Sequence, residues 1–147
     1  MRMSLEKLLK DRIIEKVEPN RHAAERTFRI SERDIKTAKS MIEAKNYDWG
    51  LIVAYNAMLQ AGRSLMHLKG YRPYSEHKHV AVIEFVHALF GTKISDKMVN
   101  IFDRMRKKRH RIVYEEAGIV SEDEAEQAIK WSEEFVQKVR EILSIGR

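Results

Sequence analysis

"DWGLIVAYNAMLQAGRSLMHLKG", Asp48–Gly70, is the stretch on which the reading of the fold turns. Leu51, Tyr55, Met58, Gly62 and Leu65 recur in it at spacings of three and four, the period of one face of an α-helix. Asp48 is placed to cap the first turn, where a side-chain oxygen satisfies free N–H groups, and Gly70 to end the last, where glycine accepts a left-handed conformation. The same period continues outward. Phe28, Ile35, Ala38, Met41 and Ile42 share one side of a helix expected over about residues 21–44, and Met3, Leu5, Leu8, Leu9, Ile13 and Val17 predict an amphipathic first helix closed by Pro19 and Asn20. Beyond Gly70, "GYRPYSEH" reads as a loop because Gly70 and Pro73 punctuate it. A fourth helix is expected from about Glu76 to Phe90, a fifth that starts near Ser95 and ends by Gly118, and a sixth from the capping-box pattern "SEDE" through Ile129, Phe135, Val139 and Ile142.

No alternating strand pattern interrupts these helices. Short loops make consecutive helices antiparallel neighbours, so the expected fold class is all-α: an up-and-down four-helix bundle with an additional N-terminal helix and a short helical extension. Two segments are expected, the amphipathic helix over 1–20 and the bundle over 21–147.

At 147 residues the chain is long enough to bury one core without staples, and it has no cysteine, which excludes disulfides, thiolate nucleophiles and cysteine zinc sites. Lys plus Arg number 28 against 22 Asp plus Glu, a net charge of +6 that favours anionic partners, although surface ion-pair networks use charge as well. Charges break up the apolar residues of the N-terminus, so it lacks the core of a signal peptide, and no run approaches the roughly 18 apolar residues of a membrane span. The chain reads as soluble and cytoplasmic, without a membrane partner. No cofactor is expected, since no glycine-rich phosphate loop is present. No metal is expected either: His77 and His79, two residues apart, do not share a helix face, and no acidic pattern completes a site. Met58, Met66, Met98 and Met105 fall at core spacings, and Tyr55 lies on the core stripe, while Tyr71 and Tyr74 are open to base stacking.

The chemistry concentrates in "RMRKKRHRIVYEE", Arg104–Glu116, where Arg104, Arg106, Lys107, Lys108, Arg109 and Arg111 crowd six positive charges into eight residues. Met98, Phe102, Met105, Ile112 and Val113 form the apolar stripe of this helix, and Arg109 continues it between Met105 and Ile112. A buried guanidinium is expensive unless paired, so Arg109 needs a carboxylate, a carbonyl, a subunit partner or an anionic ligand; the plainer alternatives are a structural ion pair or an arginine that snorkels its charge to water. The remaining cations read as a solvated face that steers an anion.

"RDIKTAKSMIEAKNYDWGLIVAYNAMLQAGRSLMHLKGYRP", with Asp34, the pairs Ala54-Tyr55 and Ala57-Met58, the small Ala61 and Gly62 and the Gly70-Tyr71 turn, resembles the HEPN domain family. His77 follows the turn where that family often has a histidine, "RHRIVYEE" occupies its signature helix, and "SEDEAEQAIKWSEEFVQKV" resembles its closing helix. The resemblance covers about residues 25–140. It implies a four-helix bundle that commonly dimerises, an expectation to which Ala61 and Gly62 add room for close helix approach, and in active members a metal-independent ribonuclease. Related toxin–antitoxin pairs add a small nucleotidyltransferase as partner protein.

The family signature is an arginine, a polar residue, three more residues and a histidine. Arg109 and His110 fit its first two places, and Tyr114 stands in the last. Attack by a 2′-hydroxyl needs a base near neutral pH; histidine, at about 6.5, serves, whereas tyrosine, at about 10, stays protonated. A permissive match runs from Arg104 to His110 but starts off the apolar stripe. Glu116 stands where the toxin branch has the tyrosine that receives AMP. The expected function is therefore binding of RNA or nucleotide phosphate by a homodimer, with Arg109, His110 and Tyr114 at the site. The alternatives are an active ribonuclease and a structural subunit whose cleft is filled by a partner's carboxylates.

Overall fold

The computed structural model describes residues 2–74 and 76–145. Ser75, in the expected loop, and Met1, Gly146 and Arg147, at the ends of the two expected segments, lie outside them. Among the described residues the order is α1 (Leu5–Lys10), β1 (Ile14–Lys16), α2 (Arg21–Glu43), α3 (Tyr47–Lys69), β2 (Tyr71–Pro73), α4 (Lys78–Phe90), α5 (Asp96–Tyr114) and α6 (Glu122–Leu143). The fold is all-helical apart from one small sheet.

Local chemistry sets most of these boundaries. The Asn20 side chain accepts from Ala23 N–H at 2.9 Å and that of Ser95 from Met98 N–H at 3.1 Å, while Ser121 and Glu124 exchange both bonds of a capping box. Gly70 ends α3 at φ 83°, and a Cβ there would also stand 2.5 Å from the Val17 carbonyl oxygen.

Helix α3 is the centre of the molecule and packs against α2, α4, α5 and α6. Tyr55 and Met58 on α3, Phe28 on α2, Phe85 on α4, Phe102 on α5 and Phe135 on α6 fill the core. Gly62 lets α4 approach: a Cβ there would lie 2.5 Å from Val82 Cγ1. Ala61 and Gly62 are buried within the chain, where the small Gly62 makes room for Val82 of α4.

Four expectations are corrected. The N-terminal helix does not extend to Val17. It stops at Lys10, Asp11 caps it, Arg12 turns left-handed at φ 56°, and β1 follows. A helix this short gains little from propagation, and the β-branched pair Ile13 and Ile14 favours a strand once a partner edge exists. That edge is the second correction: Tyr71–Pro73, expected as loop, pairs antiparallel with β1. Arg72 Nη2 meets Glu15 Oε1 at 3.0 Å across the strands, and Ile14 on β1 and Leu8 on α1 join the core. Helix α4 begins at Lys78, after the expected Glu76. Finally, Asp48 does not cap α3, whose cap position is Asn46; its carboxylate accepts instead from Gly118 N–H at 2.7 Å and Val120 N–H at 3.3 Å. It thereby ties the start of α3 to the α5–α6 connection, an arrangement no local pattern reveals.

The N-terminal arm is also anchored at a distance. Arg2 Nη1 meets the buried Glu84 Oε2 at 2.7 Å, and Arg2 Nη2 lies 3.8 Å from Asp103 Oδ2 on α5. Asp103 in turn holds Arg106 at 2.9 Å, so the arm, α4 and the basic helix share one charged network.

Candidate functional site

Helix α5 is amphipathic, with Met98, Phe102, Met105 and Ile112 buried. Val113, expected on the same stripe, is exposed. At 100° per residue it sits beyond the edge of the face that α3 and α6 cover. Arg109 does continue the stripe and is half-buried. It lines a cleft of about 360 Å³ between the C-terminal half of α5 and the start of α4. Arg106, His110 and Tyr114 line the α5 wall, and Glu76, His77, Lys78 and His79 the other. The rings of His110 and Tyr114 lie 4.8 Å apart, one helical turn from each other.

The basic stretch divides between faces. Of its six cations, Arg106 and Arg109 line this cleft. Arg104 lies over the Trp131 ring at 5.8 Å and Lys108 meets Glu124 at 3.1 Å, both in a separate groove with Leu51 and Met105. Lys107 and Arg111 are exposed, 3.6 Å from Asp103 and 3.5 Å from Glu116. Arg106 already has its carboxylate in Asp103. Arg109 alone of the six makes no ion pair, hydrogen bond or ring contact among the described residues. No partner for it stands among this chain's described residues, and the cleft leaves it accessible.

The helical reading of the sequence missed His79. Its ring stacks on Tyr55 with centroids 5.6 Å apart, and its Nδ1 lies 2.9 Å from the Tyr55 hydroxyl. Tyr55 is buried and this is its hydrogen bond among the described residues, so the hydroxyl proton has Nδ1 as its acceptor. The hydrogen of the neutral imidazole then resides on Nε2. Burial first, then the positive charges of Arg109, Arg106 and Arg63, hold the His79 pKa below its ordinary value. Burial likewise pushes the Tyr55 phenol up, so that it remains a donor. His79 is thus a neutral ring beside a cation, with a donor nitrogen held in one tautomer. No spacing in the sequence joins Tyr55 to His79, 24 residues away on another helix; the one legible hint was a hydroxyl-bearing aromatic on the α3 core stripe.

This arrangement has a measurable sign. A histidine with a depressed folded pKa binds a proton more readily when unfolded, so His79 costs no stability above its unfolded pKa of about 6.5 and withdraws stability as pH falls below it. We expect the ligand-free protein to lose melting temperature from pH 7 to 5.5 and His79→Gln to flatten that slope. Parallel slopes for both proteins would refute the assignment.

Among the described residues no cluster of three or more His, Asp or Glu side chains could hold a metal ion. No described helix is long and apolar enough to cross a membrane. No curated protein matches the chain. The family model for the HEPN domain matches residues 24–142, from the first turn of α2 to the last of α6. That match spans most of the chain and reaches all five long helices, α2 to α6, and the chain belongs to the HEPN domain family.

Proposed function

We propose that the cleft between α4 and α5 binds a phosphate of RNA or of a nucleotide. The observation that carries this reading is Arg109, half-buried on the core stripe and without a partner among the described residues. Its planar fork of donors matches phosphate oxygens bidentately. His79 adds a neutral Nε2–H donor, and Arg106 and Lys78 add positive potential. Tyr114 is 66% exposed beside His110 and suits stacking of an unpaired base. Membership of the HEPN domain family supports a nucleotide- or RNA-related role in general terms.

The cleft is read as a binding site rather than a nuclease. Tyr114 stands in the place of the signature histidine, and a phenol is a poor general base where an imidazole serves well. The Nδ1 lone pair of His79 is occupied by Tyr55, which leaves that ring a donor and not a base. The wider setting we propose is an up-and-down four-helix bundle in a cytoplasmic homodimer, paired with a small nucleotidyltransferase in a toxin–antitoxin-type system; family membership is its support.

Fluorescence anisotropy of single-stranded RNA in EDTA tests the reading, with the same samples run on a gel for cleavage. The expected result is binding that weakens steeply with salt and no cleavage above background. Binding absent at low salt would favour a structural subunit whose cleft takes a partner's carboxylates. Cleavage abolished by His110→Ala and unaffected by Tyr114→Phe would restore the permissive Arg104–His110 signature.

A further inference from the structure

A second cleft, of about 350 Å³, opens on the other side of the start of α4, between α3, β2 and α4. Arg63, Arg72 and Lys78 line it, with Leu59, Pro73 and Val82 as its apolar wall. Among the described residues no carboxylate lines this cleft, whereas Glu76 stands at the first. Arg72 is engaged by Glu15 at 3.0 Å. Arg63 has only a 3.4 Å hydrogen bond from Nη1 to Gln60, and neither Arg63 nor Lys78 forms an ion pair among the described residues.

The two clefts share a wall. Lys78 and His79 line both of them. His79 is flanked by positive charge from each side, Arg109 and Arg106 in the first cleft and Arg63 in the second. An exposed aromatic ring, Tyr114, lines the first cleft.

We propose that the two clefts form one anion track around the start of α4, in which Arg63 and Lys78 take a second backbone phosphate of a single RNA strand whose first phosphate lies on Arg109. The proposal rests on the phosphate reading of the first cleft and names the substrate class for it. Two phosphate positions separated by the Lys78 and His79 side chains suit phosphates separated by a nucleoside, whereas the contiguous phosphates of a nucleoside triphosphate would gather in one cleft. The exposed Tyr114 at the first cleft suits an unpaired base, which a duplex does not offer.

Binding of three probes to the full chain tests this: uridine monophosphate, ATP and the single-stranded tetranucleotide of uridine. Affinity should rise from the monophosphate to the tetranucleotide. Arg63 is exposed, so Arg63→Ala leaves folding intact; it should weaken tetranucleotide binding about tenfold, the scale of one charge-assisted contact, with far less effect on the monophosphate. It should also reduce the salt slope for the tetranucleotide by about 0.7, the value for one phosphate contact on a single strand. Lys78→Ala, on the shared wall, should weaken both probes. A tetranucleotide bound no better than the monophosphate, or insensitive to Arg63→Ala, would overturn the track while leaving the first cleft intact. ATP bound as tightly as the tetranucleotide and equally weakened by Arg63→Ala would replace the strand by a compact polyphosphate. None of the probes binding would overturn the phosphate reading itself, and the track with it.

Discussion

Arg109→Ala is expected to weaken RNA binding by about 1–3 kcal/mol, roughly 5- to 150-fold, the range for losing a charge-assisted contact. The size follows from the state of the side chain before any ligand arrives. Its guanidinium is already partly withdrawn from water and forms no ion pair among the described residues, so a phosphate meets a cation whose desolvation has been partly met by folding. Arg106 carries the same formal charge, but Asp103 holds it at 2.9 Å, and a phosphate must compete for it. Arg104, over Trp131 in a different groove, supplies the sharper control: it is as close in sequence as a charge-counting view requires and faces elsewhere. Arg104→Ala and Lys107→Ala should each cost little and chiefly lower the salt slope. Equal, small losses from Arg109→Ala and Lys107→Ala would mean that the helix is a diffuse basic face with no site. The comparison is made at one fixed salt concentration, with circular dichroism to confirm that each variant is folded.

Phe102→Ala is expected to destabilise the protein by about 3–5 kcal/mol, as for other large aromatic truncations in cores. Phe102 is fully buried, with the Phe135 ring 5.1 Å and the Tyr55 ring 5.8 Å away, and it also lies 3.7 Å from where a Cβ on Gly62 would stand. Helices α3, α5 and α6 therefore meet at this one side chain, and the close approach of α4 leaves little freedom for the cavity to collapse. Chemical denaturation with an unchanged m-value should report the loss, and the melting temperature should fall by about 10 °C for a chain of this size. A loss below about 1 kcal/mol would show that the site repacks and that the ring is not a junction. Since Tyr55 orients His79, the same variant, where it remains folded, should also bind RNA more weakly than wild type. That second loss separates a packing role confined to the core from one that reaches the cleft.

The helical fold was legible because its determinants are local. The period of Leu51, Tyr55, Met58, Gly62 and Leu65, the capping box at Ser121 and the stop at Gly70 each act within a turn or two of chain, and the structure places them at helix faces and ends. Arg109 was legible for the same reason, since its place on the stripe is a matter of angle along one helix. What the sequence did not disclose depends on partners far along the chain. Ile14 pairs with Pro73 across a sheet that neither strand could hold alone. Asp48 leaves its expected capping role for Gly118 and Val120, 70 and 72 residues away. His79, which local spacing suggested only as half of an incomplete metal pair, acquires its tautomer from Tyr55 and its depressed pKa chiefly from burial, with Arg109 adding to it. Short-range patterns determined that this chain is a bundle of helices and which arginine turns inward. Only tertiary packing, which brings the start of α4 against α5 and α3, decided which of the other side chains that arginine meets, because the dielectric and charge around a group depend on everything that folds against it.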